Sequence, residues 1–185
     1  SPDGNWLVYG SRFEDQTGLV LRHLITGDEK WLAYPVQRDE QESIAPLGVL
    51  PAMSFTPDSK NLIASYGGKI YAISIGSNIA TGTPKRMTTN EFTEAQPSWS
   101  PDGKFLVFTS WKQGGGHLFK VNVEGRSKPI QLTQEAGIYS YPEWSYKSNR
   151  IAFHKGTTQT YEDINGGQSA RAQEDLVWIS SDGGS

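Results

Sequence analysis

The sequence has 185 residues, of which 36% are hydrophobic and 11% aromatic, and it carries a formal net charge of −3 at pH 7. This acidic balance argues against a role in binding nucleic acid or a membrane surface, and no apolar run approaches the length of a transmembrane helix. Cysteine is absent, which is compatible with an exported protein without disulfides and also with a cytoplasmic one.

The chain opens on Ser1-Pro2-Asp3-Gly4, which is followed by the apolar run Trp6-Leu7-Val8-Tyr9. Proline presets its own φ, aspartate tolerates the bridge region and glycine accepts a positive φ, so the first four residues predict a tight turn. Aromatic and β-branched residues after such a turn predict a strand. A strand pair this short cannot bury both of its faces alone, so we expect the pattern to recur.

The turn and its strand recur three times along the chain. The repeats lie at 54–65, 97–110 and 142–153, and the last one has Tyr146 where the others have proline. The anchor positions Pro2, Pro57, Pro101 and Tyr146 are 55, 44 and 45 residues apart. A period of about 40–50 residues with several short strands in each repeat is typical of β-propeller blades.

Two further elements follow the hairpins. A third strand is indicated four times, at Gly18-Leu19-Val20-Leu21, Gly68-Lys69-Ile70-Tyr71, Gly116-His117-Leu118-Phe119 and Asp175-Leu176-Val177-Trp178. A fourth strand is indicated three times, at Glu29-Lys30-Trp31-Leu32, Pro84-Lys85-Arg86-Met87-Thr88 and Pro129-Ile130-Gln131-Leu132-Thr133. Each repeat is therefore predicted to contain four antiparallel strands, A to D, and we expect Trp99, Trp144 and Trp178 to pack between blades.

These patterns predict an all-β fold, a partial β-propeller of four-stranded antiparallel blades with two complete blades and two incomplete ones. We expect one β-propeller segment over 1–185, with blades at approximately 1–34, 52–88, 95–133 and 141–185. Because the chain begins at an A–B turn and stops just past a strand C, we interpret it as a fragment of a longer chain. The alternative is that the missing strands pair between the ends of the chain or between chains.

Loop lengths suggest which end of the blades is functional. In a meander of four strands, the A–B and C–D turns lie at one end, and the B–C and D–A connections lie at the other. The long segments 35–51, 111–116 and 154–174 all belong to the second end, where partners usually dock, although long loops can also merely tolerate insertions. The candidate recognition residues at this end are Arg38, Asp39, Glu40, Trp111, His117, His154 and Tyr161.

The sequence contains no recognisable catalytic motif. His23, His117 and His154 are scattered and form no metal-binding pair, and no Gly-x-Ser-x-Gly elbow is present. The acids Asp39, Glu40 and Glu42 are better explained as solvated charge than as general acids or bases. We therefore expect no catalytic residue, no metal ion and no cofactor within these residues.

The pattern Pro97-Ser98-Trp99-Ser100-Pro101-Asp102-Gly103-Lys104-Phe105-Leu106-Val107-Phe108 resembles the TolB-like, WD-related β-propeller repeat. More narrowly, five segments look like the propeller part of bacterial exported proteins that join such repeats to an amidohydrolase domain. They are Tyr34-Pro35-Val36-Gln37-Arg38-Asp39-Glu40-Gln41-Glu42, Phe55-Thr56-Pro57-Asp58, Gly67-Gly68-Lys69-Ile70, Gly114-Gly115-Gly116-His117-Leu118 and Glu174-Asp175-Leu176-Val177-Trp178-Ile179.

This resemblance implies a non-catalytic scaffold for protein or substrate recognition, in a parent whose metal-dependent hydrolase lies C-terminal to it. The implied location is periplasmic or extracellular. The implied partner is another domain of the parent chain or a separate protein, and incomplete propeller edges would permit an oligomer. Two alternatives stay open: a stand-alone TolB-like interaction propeller of the cell envelope, and the propeller domain of a serine peptidase of the prolyl-oligopeptidase or tricorn kind.

Overall fold

The structure is a computed structural model. The residues that it describes are 1–14, 16–38, 51–76, 83–88, 91–112, 114–124, 127–158 and 174–184, and the side chains of Gln37 and Arg38 lie outside this description. The chain divides into two compact units, an N-terminal unit that ends at Met87 and a C-terminal unit that begins at Thr88.

The described part of the N-terminal unit forms two antiparallel sheets, ordered β1-β2-β3 and β4-β5-β6-β7. The strands are β1 (Trp6–Phe13), β2 (Gln16–His23), β3 (Glu29–Arg38), β4 (Met53–Phe55), β5 (Asn61–Tyr66), β6 (Lys69–Ser74) and β7 (Lys85–Arg86). The core of this unit joins the two sheets, with Leu19 and Leu21 from one sheet and Leu62 and Ile73 from the other, all of them at most 1% exposed.

The described part of the C-terminal unit also forms two antiparallel sheets, ordered β8-β9-β10-β11 and β12-β13-β14. The strands are β8 (Thr93–Trp99), β9 (Phe105–Lys112), β10 (Gly115–Asn122), β11 (Ile130–Gln131), β12 (Ile138–Trp144), β13 (Arg150–Gly156) and β14 (Asp175–Ser180). Val107 and Leu118 of one sheet pack with Ile151 and Phe153 of the other in one apolar cluster.

The turn chemistry is the same in three hairpins. The hydroxyl of Ser100 donates to Asp102 Oδ1 at 2.6 Å and accepts from the N–H of Phe105 at 2.9 Å, while the N–H of Lys104 donates to Asp102 Oδ1 at 3.1 Å. Ser1 with Asp3 and Thr56 with Asp58 repeat this network. The donated hydroxyl bond is the main reason that the pKa of each of the three carboxyls lies below its ordinary value.

The fold-class prediction is confirmed, since the described strands form antiparallel sheets of three, four, four and three strands. Two loop predictions are wrong in the residues that the structure describes, and residues 39–50 of the first loop lie outside that description. The segment that begins at Pro35 continues β3, and its strand pairing extends to Arg38 opposite Gln16. Likewise 111–116 is not an open loop, because Lys112 of β9 pairs directly with Gly115 of β10.

The predicted packing of Trp178 is also wrong, and its strand corresponds to β10 with a shift of one residue relative to the segments named above. The N–H of Val123 donates to Lys104 O, and the N–H of Ser181 donates to Asn149 O, so Ser181 occupies the position of Val123. Trp178 then corresponds to Lys120 rather than to Phe119. A shift of one residue in a strand reverses the face of every side chain, so Trp178 lies on the face of Leu176 rather than on that of Val177, and Trp178 is 58% exposed.

The other two tryptophans differ from Trp178. Trp144 packs against the apolar cluster of the C-terminal unit, and its indole N–H donates to the carbonyl of Ser98 at 3.2 Å. Trp99 is half-buried at the end of β8. The prediction of blade packing therefore holds for Trp144, whose indole joins the third and fourth sheets.

Candidate functional site

Trp111 lies near the end of β9, opposite Gly116 of β10. The N–H of Gly116 donates to Gly137 O at 2.8 Å, and the N–H of Gly137 donates back to Gly116 O at 3.1 Å, so the two sheets of the unit are joined here. A Cβ at Gly116 would lie 3.0 Å from an indole carbon of Trp111 and 3.1 Å from Gly137 O. Gly116 thus lets the indole and the neighbouring backbone come close together.

His117 lies beneath the surface rather than on it. It is 6% exposed, its Nδ1 lies 3.1 Å from Thr133 Oγ1, and its ring stacks at 6.4 Å on that of Tyr139. Burial, followed by the charge of Lys112, lowers the pKa of His117 below its ordinary value. The imidazole is therefore neutral at pH 7, and it lies below the surface rather than at a position where a partner could reach it.

His154 lies on the surface in a small polar and aromatic group. Its Nδ1 is 3.3 Å from Glu174 Oε2, and the hydroxyl of Ser140 donates to the same oxygen at 2.9 Å. The ring of Tyr141 meets that of His154 edge to face at 5.7 Å. We call Ser140, Tyr141, His154 and Glu174 the Tyr141 cluster.

A β-bulge between Ser140 and Glu143 directs Tyr141 outward. Tyr141 has a φ of 51°, and the residue is 66% exposed. Its N–H donates to Gln96 Oε1 at 2.9 Å, and Gln96 itself has a φ of 52° in the corresponding bulge of β8. The exposed ring is thus held by backbone geometry and by a hydrogen bond to the neighbouring sheet.

The chemistry of the cluster suits binding better than catalysis. A nucleophilic serine needs its hydroxyl directed at a base, whereas the Ser140 hydroxyl and the His154 imidazole both contact one carboxylate oxygen of Glu174. Within the described ranges, no group of three or more His, Cys, Asp or Glu side chains is arranged to hold a metal ion. The cluster offers an aromatic ring, a carboxylate and an imidazole to a partner.

The candidate residues are divided between the two units. Trp111, His117 and His154 lie in the C-terminal unit, whereas Arg38 ends β3 of the N-terminal unit. Three further candidates, Asp39, Glu40 and Tyr161, lie outside the described residues.

The sequence reasoning missed Ser140 and Glu174. Their proximity depends on the register between β12 and β13 and on the position of residue 174 just before β14. No local sequence pattern signals either feature.

A second feature of the C-terminal unit lies at the strand ends opposite to those of the Tyr141 cluster. A cleft of about 500 Å³ lies between the turns at Pro101 and Tyr146. Lys120 lines this cleft, and its ammonium lies 5.1 Å from the centre of the Phe105 ring and 3.5 Å from Asp182 Oδ1. Tyr146, in the position of the proline of the other turns, is 89% exposed. It is a useful reference for Tyr141, because both tyrosines are exposed but lie at opposite strand ends.

In the part of the chain that the structure describes, no helix has both the length and the apolar character needed to cross a membrane.

Comparison with known proteins finds one family model, described as the TolB beta propeller domain, that matches residues 1–180. The Tol-Pal system protein TolB of Desulfosudis oleivorans is 34% identical over 62 residues, which cover 33% of this chain and 14% of that protein. The crystal structure of TolB from Acinetobacter baumannii matches 97% of this chain at 19% identity, with a TM-score of 0.62. This chain covers only 39% of that TolB.

A structural study of two prolyl endopeptidases provides another match. It covers 95% of this chain and 26% of the endopeptidase chain, at 13% identity and a TM-score of 0.58. At such identities both structural likenesses concern the fold alone.

Proposed function

The chain belongs to the TolB beta propeller domain family, and we propose that it is a non-catalytic scaffold whose Tyr141 cluster binds a protein partner. The partner is a separate protein or another domain of the same parent chain. The location that we propose is the cell envelope, in the periplasm or outside the cell, as the sequence resemblance to exported proteins implies.

The observation that carries this proposal is the exposure of Tyr141 on a strained backbone. Non-glycine residues rarely adopt a positive φ, and such strain persists at sites where the surrounding structure enforces it, often for function. Aromatic side chains of this kind are frequent anchors of protein interfaces. Glu174 and His154 next to the ring would add hydrogen bonds at the rim of the interface.

The same scaffold could serve a larger hydrolase, and this is the second candidate. The prolyl endopeptidase shares this fold over 26% of its own chain, which is compatible with a propeller attached to a further, catalytic domain. The finer assignment to an amidohydrolase parent rests on the sequence resemblance. In either parent we expect residues 1–185 to hydrolyse no amide bond by themselves, and turnover by the purified chain would contradict this.

Site-specific photocrosslinking tests the proposed surface. A benzophenone amino acid replaces Tyr141 in one form of the chain and Tyr146 in another, and both are produced in the source cell. Both positions are exposed, so neither replacement should unfold the chain.

We expect a discrete protein adduct from position 141, which weakens when Glu174→Ala is added, and none from position 146. An adduct from position 146 alone, or from neither position, would contradict the proposal.

A further inference from the structure

The carboxylate of Glu174 gives the Tyr141 cluster a negative charge that its contacts leave uncompensated. It accepts the hydrogen bond of the Ser140 hydroxyl at 2.9 Å and lies 3.3 Å from His154 Nδ1. The hydroxyl carries no charge, and the imidazole carries one only if it is protonated. The side chain of Glu174 is 24% exposed, so a ligand can reach the carboxylate from solvent.

The surroundings of this carboxylate are acidic as well. Asp175 follows it at the start of β14, and both Asp175 and Glu135 are exposed. Lys155 of β13 is the lysine at this end of the sheet, and it already pairs with Glu135 at 3.3 Å. Three acidic residues therefore stand against one lysine here, which favours a cationic ligand over an anionic one.

Tyr141 places an aromatic ring beside this charge. The ring and the Glu174 carboxylate both contact the imidazole of His154, the ring at 5.7 Å between centres and the carboxylate at 3.3 Å from Nδ1. Tyr141 is 66% exposed, and its hydrogen bond to Gln96 holds its backbone in place. An aromatic face attracts a cation through its quadrupole, and a carboxylate attracts it through its charge. The two groups together suit a single cation.

The same sheet already holds a cation against an aromatic ring. The guanidinium carbon of Arg150 lies 3.8 Å from the centre of the Trp178 ring. In the neighbouring sheet the ammonium of Lys120 lies farther from the Phe105 ring, at 5.1 Å. A planar guanidinium stacks on a ring and directs its N–H groups at a carboxylate, whereas an ammonium is a strongly hydrated point charge. A guanidinium is thus the better match to a ring beside a carboxylate.

We propose that the Tyr141 cluster binds an arginine side chain of the protein partner, with the guanidinium stacked on the Tyr141 ring and donating to the carboxylate of Glu174. Since Oε2 of Glu174 already accepts from Ser140, Oε1 is the oxygen that receives the guanidinium. This inference rests on the proposed function for the view that the cluster meets a protein. It adds the chemistry of the residue that the partner presents.

NMR titration of the full chain tests the choice of arginine with capped synthetic peptides. The first is acetyl-Gly-Ser-Arg-Ser-Gly-amide, and two others carry citrulline or lysine in place of the arginine. Citrulline keeps the shape of the side chain and loses its charge. We expect the arginine peptide to shift the amide signals of Tyr141 and Glu174 but not that of Tyr146. It should bind about 5-fold more tightly than the citrulline peptide and about 2-fold more tightly than the lysine peptide.

Two substitutions in the chain separate the carboxylate from the ring. Glu174→Gln removes the charge and keeps an oxygen for the Ser140 hydroxyl, and it should weaken binding of the arginine peptide by about 5-fold. Tyr141→Leu removes the aromatic face and should weaken binding by about 2- to 5-fold, as expected for an exposed cation–π contact. The matched controls Glu124→Gln and Tyr146→Leu alter exposed residues at the opposite strand ends and should leave the dissociation constant unchanged.

The proposal is overturned if the arginine peptide causes no shift at Tyr141, or if the citrulline or lysine peptide binds as tightly. It is also overturned if Glu174→Gln or Tyr141→Leu leaves the affinity unchanged. Failure of the proposed function would look different, because no adduct would form from position 141 while the arginine peptide still bound. An adduct from position 141 without a preference for arginine would overturn this inference alone.

Discussion

Leu118 and Leu176 occupy equivalent positions in neighbouring sheets and differ only in what covers them. Leu118 is fully buried in the apolar cluster of the C-terminal unit, whereas Leu176 is 74% exposed. Replacing a fully buried leucine by alanine removes the transfer free energy of its side chain and leaves a cavity, at a cost of about 3–5 kcal/mol. Replacing an exposed leucine away from special features changes the free energy of unfolding by about 0.5 kcal/mol or less.

Urea denaturation followed by circular dichroism measures both variants. At a slope of about 2 kcal/mol/M, Leu118→Ala should lower the unfolding midpoint by at least about 1.5 M, and Leu176→Ala should leave it nearly unchanged. Equal losses in the two variants would refute the register that places Leu176 on an uncovered face. A near-zero loss for Leu118→Ala would refute the packing of the third sheet against the fourth.

Three other outcomes follow from individual contacts. The pKa of His117 is lowered below 6.5 by burial, so stability from its neutral ring is present above about pH 6.5 and is lost as the pH falls toward the folded-state pKa. His117→Gln should therefore flatten the loss of stability between about pH 7 and 5 in thermal unfolding, and an unchanged slope would contradict this. Ser100→Ala removes the hydroxyl hydrogen bond that contributes most to the low pKa of Asp102. In an NMR titration the pKa of Asp102 should therefore rise toward 3.8, while the pKa of Asp58 should not change. Gly116→Ala brings a Cβ within 3.1 Å of the Gly137 carbonyl and should cost about 1–3 kcal/mol in urea denaturation, so a neutral effect would disprove the close approach.

Much of the fold could be predicted because its signals are local. The Pro-Asp turns recur with the same hydroxyl and carboxylate bonds at Asp3, Asp58 and Asp102, and these bonds span only a few residues. The adjacent glycines Gly67 and Gly68 have the positive φ values, 57° and 68°, that a tight hairpin turn requires. Such features depend on residues that are close together along the chain, so they can be recognised in the sequence.

The candidate site was less predictable. Trp111 and His154 do lie at the expected strand ends, but His117 is buried at 6% exposure, since its side chain faces Thr133 and Tyr139 rather than solvent. Spacing along the chain indicates which end of a strand a residue occupies. It does not indicate whether a neighbouring strand covers the side chain.

By itself, then, the sequence determined the repeat, the strand order within each repeat and the turns, because these follow from residue types a few positions apart. The tertiary structure alone decided that Tyr141 is raised on a bulge, that Trp178 faces outward and that β14 has an uncovered edge among the described residues. The physical reason is register. Hydrogen bonds between strands that are distant in sequence set which face each side chain takes, and a difference of one residue exchanges core for surface.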